Sequence, residues 1–318
     1  MTILSGSRRI YKYLFGPVVS RRLGISLGID LMPHKTCTLN CIYCECGKTT
    51  HLTIKRGSYV PVQQVREELK TFLSTNPRLD FATFSGFGEP VLHDGIGEII
   101  RFLKKDFSQY KTALLTNGTI FYKPGIIKDI LDLDLVKISL DAASEEVFYK
   151  INRPHPGLDF CAVIDGIVSF CKEFKNELLI EVFLVPGVND GMAELKKIKE
   201  LLSRIRPHKI QINTLDRPGA EDWVQPLDAE QLSKITSYLH NAETIDASAL
   251  SKAGQTVIKD YYNRLLATIQ RRPVTAEDIA QLTGFQKDKI MDYLAILTAD
   301  GKIETKAMPR GIFYKIKT

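Results

Sequence analysis

The residues with the clearest chemistry are cysteines. Of six in the chain, four crowd into Cys37–Cys46, where Cys37, Cys41 and Cys44 have the spacing Cys-x3-Cys-x2-Cys. Thiolates at this spacing can bend round three corners of an iron–sulfur cube, which points to a [4Fe–4S] cluster. Three ligands leave one iron without a protein donor, so such a cluster does more than carry electrons. The alternatives are a zinc site and a cluster with Cys46 as fourth ligand. Zinc usually draws on two separated pairs of ligands, and no second pair of that kind exists here. Cys46 lies two residues past Cys44, an awkward reach for the same cube; it is either a redox-active or substrate-linked thiol or a loop bystander. Cys161 and Cys171 fall on a predicted helix as small apolar residues.

Apolar, β-rich runs recur along the chain and are spaced by helical patterns. The runs are Ser26–Met32, Phe81–Ser85, Lys111–Thr116, Leu135–Leu140, Leu178–Val185 and Lys209–Asn213. Amphipathic segments lie between them at Val62–Ser74, Gly95–Lys105, Pro124–Leu131, Asp159–Phe174 and Ala193–Arg204. Near-continuous apolar strands alternating with helices predict an α/β fold, its parallel sheet covered on the outer face. Six units predict an incomplete (β/α)6 barrel, two units short of a complete one. In that geometry chemistry collects where strands end, and the cysteines directly follow the first strand.

The pattern changes after about Ala247. Helices are expected at Gln255–Arg271, Thr275–Leu282 (with Thr275 as N-cap) and Gln286–Ala299, then short strands at Lys302–Thr305 and Gly311–Ile316. Three helices followed by a hairpin outline a small winged helix-turn-helix domain, so the domains are 1–247 and 248–318. From Thr256 onward eleven Lys or Arg face seven Asp or Glu. The third helix carries Lys287 and Lys289 but also Asp288 and Asp292, and lacks the Arg and Asn density of a strong base reader. A protein contact or substrate cap is the other reading of this domain.

At 318 residues the chain is long enough for one large domain and a small one. A net charge of +6 permits a polyanionic partner without requiring one. No apolar stretch reaches the roughly 20 residues that cross a membrane, and the first nine residues lack a signal-peptide pattern; the expected location is cytoplasmic. Arg8, Arg9, Arg21, Arg22, Lys35 and Lys48 make a basic N-terminal region that either meets phosphate or carboxylate groups or forms a solvated surface. His34 precedes the cysteine loop as a residue behind the cluster or as a surface histidine.

In this place on this fold, the cysteine triplet resembles that of the radical S-adenosylmethionine (SAM) superfamily. The resemblance implies that SAM chelates the open iron through its amino and carboxylate groups, and that one electron cleaves it to methionine and a 5′-deoxyadenosyl radical. Gly86-Phe87-Gly88-Glu89-Pro90 is similar to the Gly-Gly-Glu-Pro motif whose backbone grips the methionyl amino group, with Phe87 in place of a small residue. Asn117, Ser139 and Asp141 then become partners for ribose and carboxylate, with a turn residue and a helix N-cap as the alternatives for Asn117 and Asp141. Tyr43 either rests against adenine or simply packs on the loop, and Val185 meets adenine through its backbone. Asn213 would line a substrate pocket. Arg153 would neutralise a carboxylate unless it is a surface arginine.

Phe15–Gly24, Ser26–Asp30 and Gly47–Thr50 extend the likeness to the group related to the tRNA wyosine synthases, which condense pyruvate carbons onto N-methylguanine next to the anticodon. Residues 1–36 contain no cysteine for the second cluster of the archaeal enzymes. The flavodoxin-like module of eukaryotic relatives is also missing. An external one-electron reductant of flavodoxin or ferredoxin type is therefore implied, with tRNA or a protein or peptide as substrate. The competing function is an iron–sulfur redox sensor that regulates by binding DNA, which would have no need of a SAM-gripping loop.

Overall fold

The computed structural model describes residues 11–20, 23–239, 242–244, 268–283 and 285–317. The chain enters through an antiparallel pair, β1 (Leu14–Ser20) and β2 (Gly24–Ile29). Two short strands, β3 (Thr36–Cys37) and β4 (His51–Leu52), pair in parallel on the connection that follows. Strands and helices then alternate: α1 (Val62–Leu73), β5 (Phe81–Phe84), α2 (Ile96–Asp106), β6 (Lys111–Thr116), α3 (Ile126–Ile130) and β7 (Leu135–Ser139). After β7 come α4 (Glu145–Asn152), α5 (Phe160–Glu173), β8 (Glu177–Leu184), α6 (Met192–Ile205), β9 (Lys209–Thr214), α7 (Ala229–Tyr238) and β10 (Ala242–Thr244).

These strands build one open sheet in the order β1-β2-β5-β6-β7-β8-β9-β10, parallel throughout except at β1. The six predicted runs all appear in it. Seven of the eight residues of β8 are buried, as a strand covered on both faces requires. Helices cover it with apolar stripes at helical spacing, such as Val65, Leu69 and Phe72 on α1 and Leu195, Ile198 and Leu202 on α6.

The first strand ends at Ile29, not Met32, because the Asp30 carboxylate accepts the Met32 N–H at 3.3 Å and turns the chain. The sequence patterns did not announce the short strands β3 and β4, nor four longer elements of the large sheet and its helices. A bulge between Phe15 and Val18 breaks the alternation of β1, and β10 is a short, mostly exposed edge. The α4 helix buries only Phe148, Ile151 and Asn152, and α7 buries Ile235, so their apolar stripes are thin.

The C-terminal part begins with a helical turn at residues 268–271 and strand β11 (Val274–Thr275). Helices α8 (Ala276–Thr283) and α9 (Lys287–Ala299) and strands β12 (Ile303–Met308) and β13 (Gly311–Ile316) complete it. Its sheet order is β11-β13-β12, all antiparallel, so a third strand joins the expected hairpin. Thr275 caps α8 as expected: its Oγ1 accepts the Asp278 N–H at 3.0 Å, and Asp278 accepts the Thr275 N–H at 3.1 Å. The rest of the expected helix Gln255–Arg271 and the boundary at 247/248 lie outside the described residues.

Ile269, Val274, Ile279, Ile290, Leu294, Leu297 and Ile303 form a core of their own, separate from that of the large sheet. Ile279→Ala should cost this core about 2–5 kcal/mol. Hydrogen exchange should then quicken across residues 274–317 while β5 to β9 stay protected. Quickening in both regions would mean that the two cores open as one.

Candidate functional site

Parallel strands deliver their carboxyl ends to one side of the sheet, and the cysteine loop is fastened there by backbone hydrogen bonds. Asn40 N–H donates to the Asn152 carbonyl at 2.9 Å and Ile42 N–H to that of Ile151 at 3.0 Å, docking the loop on the end of α4. Within the loop Cys44 N–H reaches the Cys41 carbonyl and Gly47 N–H that of Cys44. All three thiols of the triplet are free, and each faces a nitrogen donor. Asn117 Nδ2 lies 3.6 Å from Cys37 Sγ, Asn152 Nδ2 3.3 Å from Cys41 Sγ, and Lys35 Nζ 3.0 Å from Cys44 Sγ.

Burial pushes the Cys37 thiol up to about 12 and Cys41 well above its usual value. Cys44 is held down, by the Cys46 thiol and by Lys35. Cys46 itself lies 3.1 Å from the Arg271 carbonyl oxygen and 3.7 Å from that of Gly86. Among the described residues no three His, Cys, Asp or Glu side chains converge on a single ion. Three thiols spread over one loop, each with an N–H donor, suit the wider corners of an iron–sulfur cube.

The glycine-rich loop after β5 packs directly on the segment entering the cysteines. Glu89 N–H donates to the Thr36 carbonyl at 3.2 Å. A Cβ on Gly88 would stand 1.8 Å from that same oxygen. Gly86 has φ 149°, and a Cβ there would strike the Asp30 carboxyl at 2.2 Å. Phe87 is accommodated because its ring lies 4.6 Å from that of His34 and 5.2 Å from the Arg271 guanidinium. Pro90 starts a short 3-10 turn. The Glu89 carboxylate accepts from Thr116 Oγ1 at 2.6 Å, Asn117 N–H at 2.8 Å and Val91 N–H at 3.3 Å. Burial nevertheless pushes its carboxyl up to about 7.

Asn117, Ser139, Asp141 and Asn152 line one small cavity of about 20 Å³ beside Leu39. Asp141 is not the cap of α4, a place taken by Ser144. Its carboxylate instead accepts from the Tyr43 hydroxyl, from Asn152 Nδ2 at 2.8 Å and from Phe183 N–H at 3.0 Å. Burial pushes it up to about 6. The Tyr43 ring stacks on Phe183 at 3.8 Å. Val185 is buried, and its N–H donates to Asn189 Oδ1 at 2.8 Å.

A larger cavity of about 280 Å³ opens beside the loop, lined by Tyr43, Cys44, Cys46, Lys137, Glu181, Asn213 and Arg217 from the large sheet. Lys137 and Glu181 form a buried ion pair at 2.6 Å on its wall. Arg272, Asp278 and Gln281 of the C-terminal part line it as well. The two parts are tied by charge: Arg310 bonds Asp216 at 2.8 Å and Asp278 at 2.7 Å, and Arg217 donates to the Pro273 carbonyl at 3.1 Å.

Other expected residues fall outside this convergence. Arg153 pairs with Glu221 at 2.5 Å, as does Lys48 at 3.4 Å. His34 and Cys161 are exposed. Arg8, Arg9, Arg21 and Arg22 lie outside the described residues. Residues that sequence reasoning overlooked are Lys35 as a contact of Cys44, Asn152, and the Lys137–Glu181 pair. Asn152 had one signal, its place beside Arg153; a lysine within a strand had none.

A family model for the radical SAM superfamily matches residues 31–202. A UPF0026 protein of Helicobacter pylori (strain J99) is 33% identical over 276 residues, covering 83% of this chain and 86% of that protein. A Brachyspira hyodysenteriae protein named GTPase Obg is 32% identical over 308 residues, or 96% of this chain; the chain spans only 45% of that protein's length. Among solved structures, TYW1 with a lysine–pyruvate adduct bound superposes with a TM-score of 0.51 at 20% identity, covering 71% of this chain and 75% of that one, a likeness of fold.

The contact between Arg271 and Asp30 makes a prediction about charge. The pair lies at 3.2 Å, nearly buried. Burial pushes the Asp30 carboxyl up to about 6 and Arg271 pulls it back. A carboxyl raised on folding binds its proton more tightly in the folded chain, so its contribution to stability falls as pH rises from 3.8 towards 6. Without Arg271 the ionised carboxylate has lost that partner, whereas the protonated acid needs none. Arg271→Met should therefore cost about 3 kcal/mol at pH 8 and much less at pH 5. Equal losses in thermal denaturation at the two pH values would remove the ion pair as the cause.

Proposed function

Because the chain belongs to the radical SAM superfamily, whose cofactors are a [4Fe–4S] cluster and S-adenosylmethionine, we propose that it is an enzyme that cleaves SAM reductively and abstracts hydrogen from a substrate. Cys37, Cys41 and Cys44 hold the cluster, which leaves one iron for SAM. When bound, these cofactors supply a 5′-deoxyadenosyl radical, with one electron entering from an external reductant of flavodoxin or ferredoxin type. The observation that carries this reading is the junction of the two motif loops: Glu89 N–H on the Thr36 carbonyl sets the glycine-rich loop against the residue before Cys37.

The protein's own work is to bind, orient and shield. Main-chain groups of Gly86–Pro90 receive the methionyl end. Above about pH 7, where it is ionised, the buried Glu89 carboxylate, held by three donors, provides negative charge there for an ammonium group. Asn117, Ser139 and Asp141 at the strand ends face the ribose and carboxylate, with Tyr43 and Val185 towards the adenine. Tyr43 is held for that purpose by Asp141 and by the Phe183 ring. The large cavity receives the substrate, either a nucleoside within tRNA or a side chain of a peptide.

Residues 1–247 form the partial barrel and 248–318 a winged-helix domain that caps this cavity. Support for a cap over a nucleic-acid reader comes from its basic side chains. Lys287, Lys302, Lys306, Arg310 and Lys315 each already pair with an acid, and Arg272 and Gln281 face the cavity. The carboxylates that hold these cations compete with phosphates for them.

Anaerobic reconstitution with iron and sulfide, followed by SAM and dithionite, should yield 5′-deoxyadenosine. Cys41→Ala should lose cluster iron and all product, while Cys46→Ala should keep its iron. Loss of iron from the Cys46 variant would overturn this ligand set. A reducible cluster that leaves SAM intact would sink the enzyme reading and favour a redox sensor.

A further inference from the structure

On the reading that Cys37, Cys41 and Cys44 hold the cluster, we infer that Lys35 is a redox-tuning residue, its ammonium bonded to the Cys44 sulfur so that the site accepts its electron more readily. The first observation is contact. Lys35 Nζ stands 3.0 Å from Cys44 Sγ, and the residue is only 3% exposed. A buried lysine must be paired, since its charge is costly away from water.

The second observation is backbone. Lys35 has φ 49°, a left-handed conformation that favours glycine or asparagine and is unfavourable for a long side chain. It is held there by its own carbonyl, which accepts Thr50 N–H at 3.1 Å and His51 N–H at 3.0 Å. A turn of this shape gains nothing from lysine, so the side chain is the reason for the residue. The third observation is the pattern: Asn117 and Asn152 put neutral N–H groups on the other two sulfurs, and Lys35 puts a full charge on the third.

The physical effect follows from charge. Three thiolates give the loaded site net negative charge, and one electron from the external reductant makes it more negative by one; no bond breaks and no proton has to move. Hydrogen bonds to the sulfurs and nearby positive charge stabilise that added electron, which raises the reduction potential. Glu89 and Asp141, the carboxylates beside Cys37 and Cys41, act in the opposite direction.

The test is a redox titration of reconstituted protein, followed by electron paramagnetic resonance with iron and sulfide counted for every sample. Lys35→Asn removes the charge and suits the left-handed backbone; Lys35→Arg keeps the charge. At the potential that half-reduces the wild type, Lys35→Asn should lower the reduced-to-oxidised ratio about tenfold, roughly 59 mV for one electron. Lys35→Arg should restore most of it. An unchanged midpoint in a fully loaded Lys35→Asn protein overturns the inference and leaves Lys35 a structural residue. Should that variant take up less iron, Lys35→Gln, which keeps most of the length of the side chain and removes its charge, serves as the second arm: a shift in the same direction supports the inference, and no shift overturns it. A wild type that fails to form the cluster would instead sink the ligand assignment.

Discussion

The carboxylate of Asp141 is the point at which the working end of this protein is tied together. It leaves the end of β7 and accepts hydrogen bonds from Tyr43 on the cysteine loop, Asn152 at the end of α4 and the Phe183 N–H of β8. Its own carbonyl accepts from Asn189, whose side chain also holds the Phe183 carbonyl and the Val185 N–H. Parallel strands that stop together leave backbone donors and acceptors without ladder partners, and burial makes each of them need one. One acid and two asparagines meet much of that need. The loop carrying the thiols is thereby fastened to the sheet at the side-chain level as well as through the backbone.

Charge is arranged around this knot in opposed pairs. Asp30, Glu89 and Asp141 are buried acids after the ends of β2, β5 and β7, each pushed upward by loss of water. Lys35 supplies positive charge to Cys44 and Arg271 to Asp30. Arg271 belongs to the C-terminal part, so closure of that part and solvation of Asp30 are linked. Arg310, which bridges Asp216 and Asp278, makes a second link between the two parts. The mouth is therefore built from two separate hydrophobic cores joined mainly by polar contacts.

The α/β alternation with its mostly parallel sheet and the cysteine triplet were both legible in the sequence. Apolar runs such as Lys111–Thr116 became strands because a strand covered on both faces must be apolar throughout. The cysteines and the glycine-rich loop were legible because their types and spacing are local. Among the elements the patterns did not reveal, β1, β10, α4 and α7 are blurred by a bulge, an exposed edge or a thin apolar stripe, and β3, β4 and β11, at two residues each, are too short to carry a pattern. Helix α8 was readable from its cap, as Thr275 shows.

The sequence by itself determined the alternation of the six main strands with their helices, where the thiols stand along the chain, and that three of them suit one cluster. Those properties depend on periodicity and spacing within a few residues. Only the tertiary structure decided that Lys35 faces Cys44 and Asn152 faces Cys41, 111 residues away. It alone brought Arg272 and Asp278 to the cavity that Tyr43 lines. Contacts of that kind depend on the order in which strands lie side by side and on which way a loop turns, and no local pattern of residues encodes either.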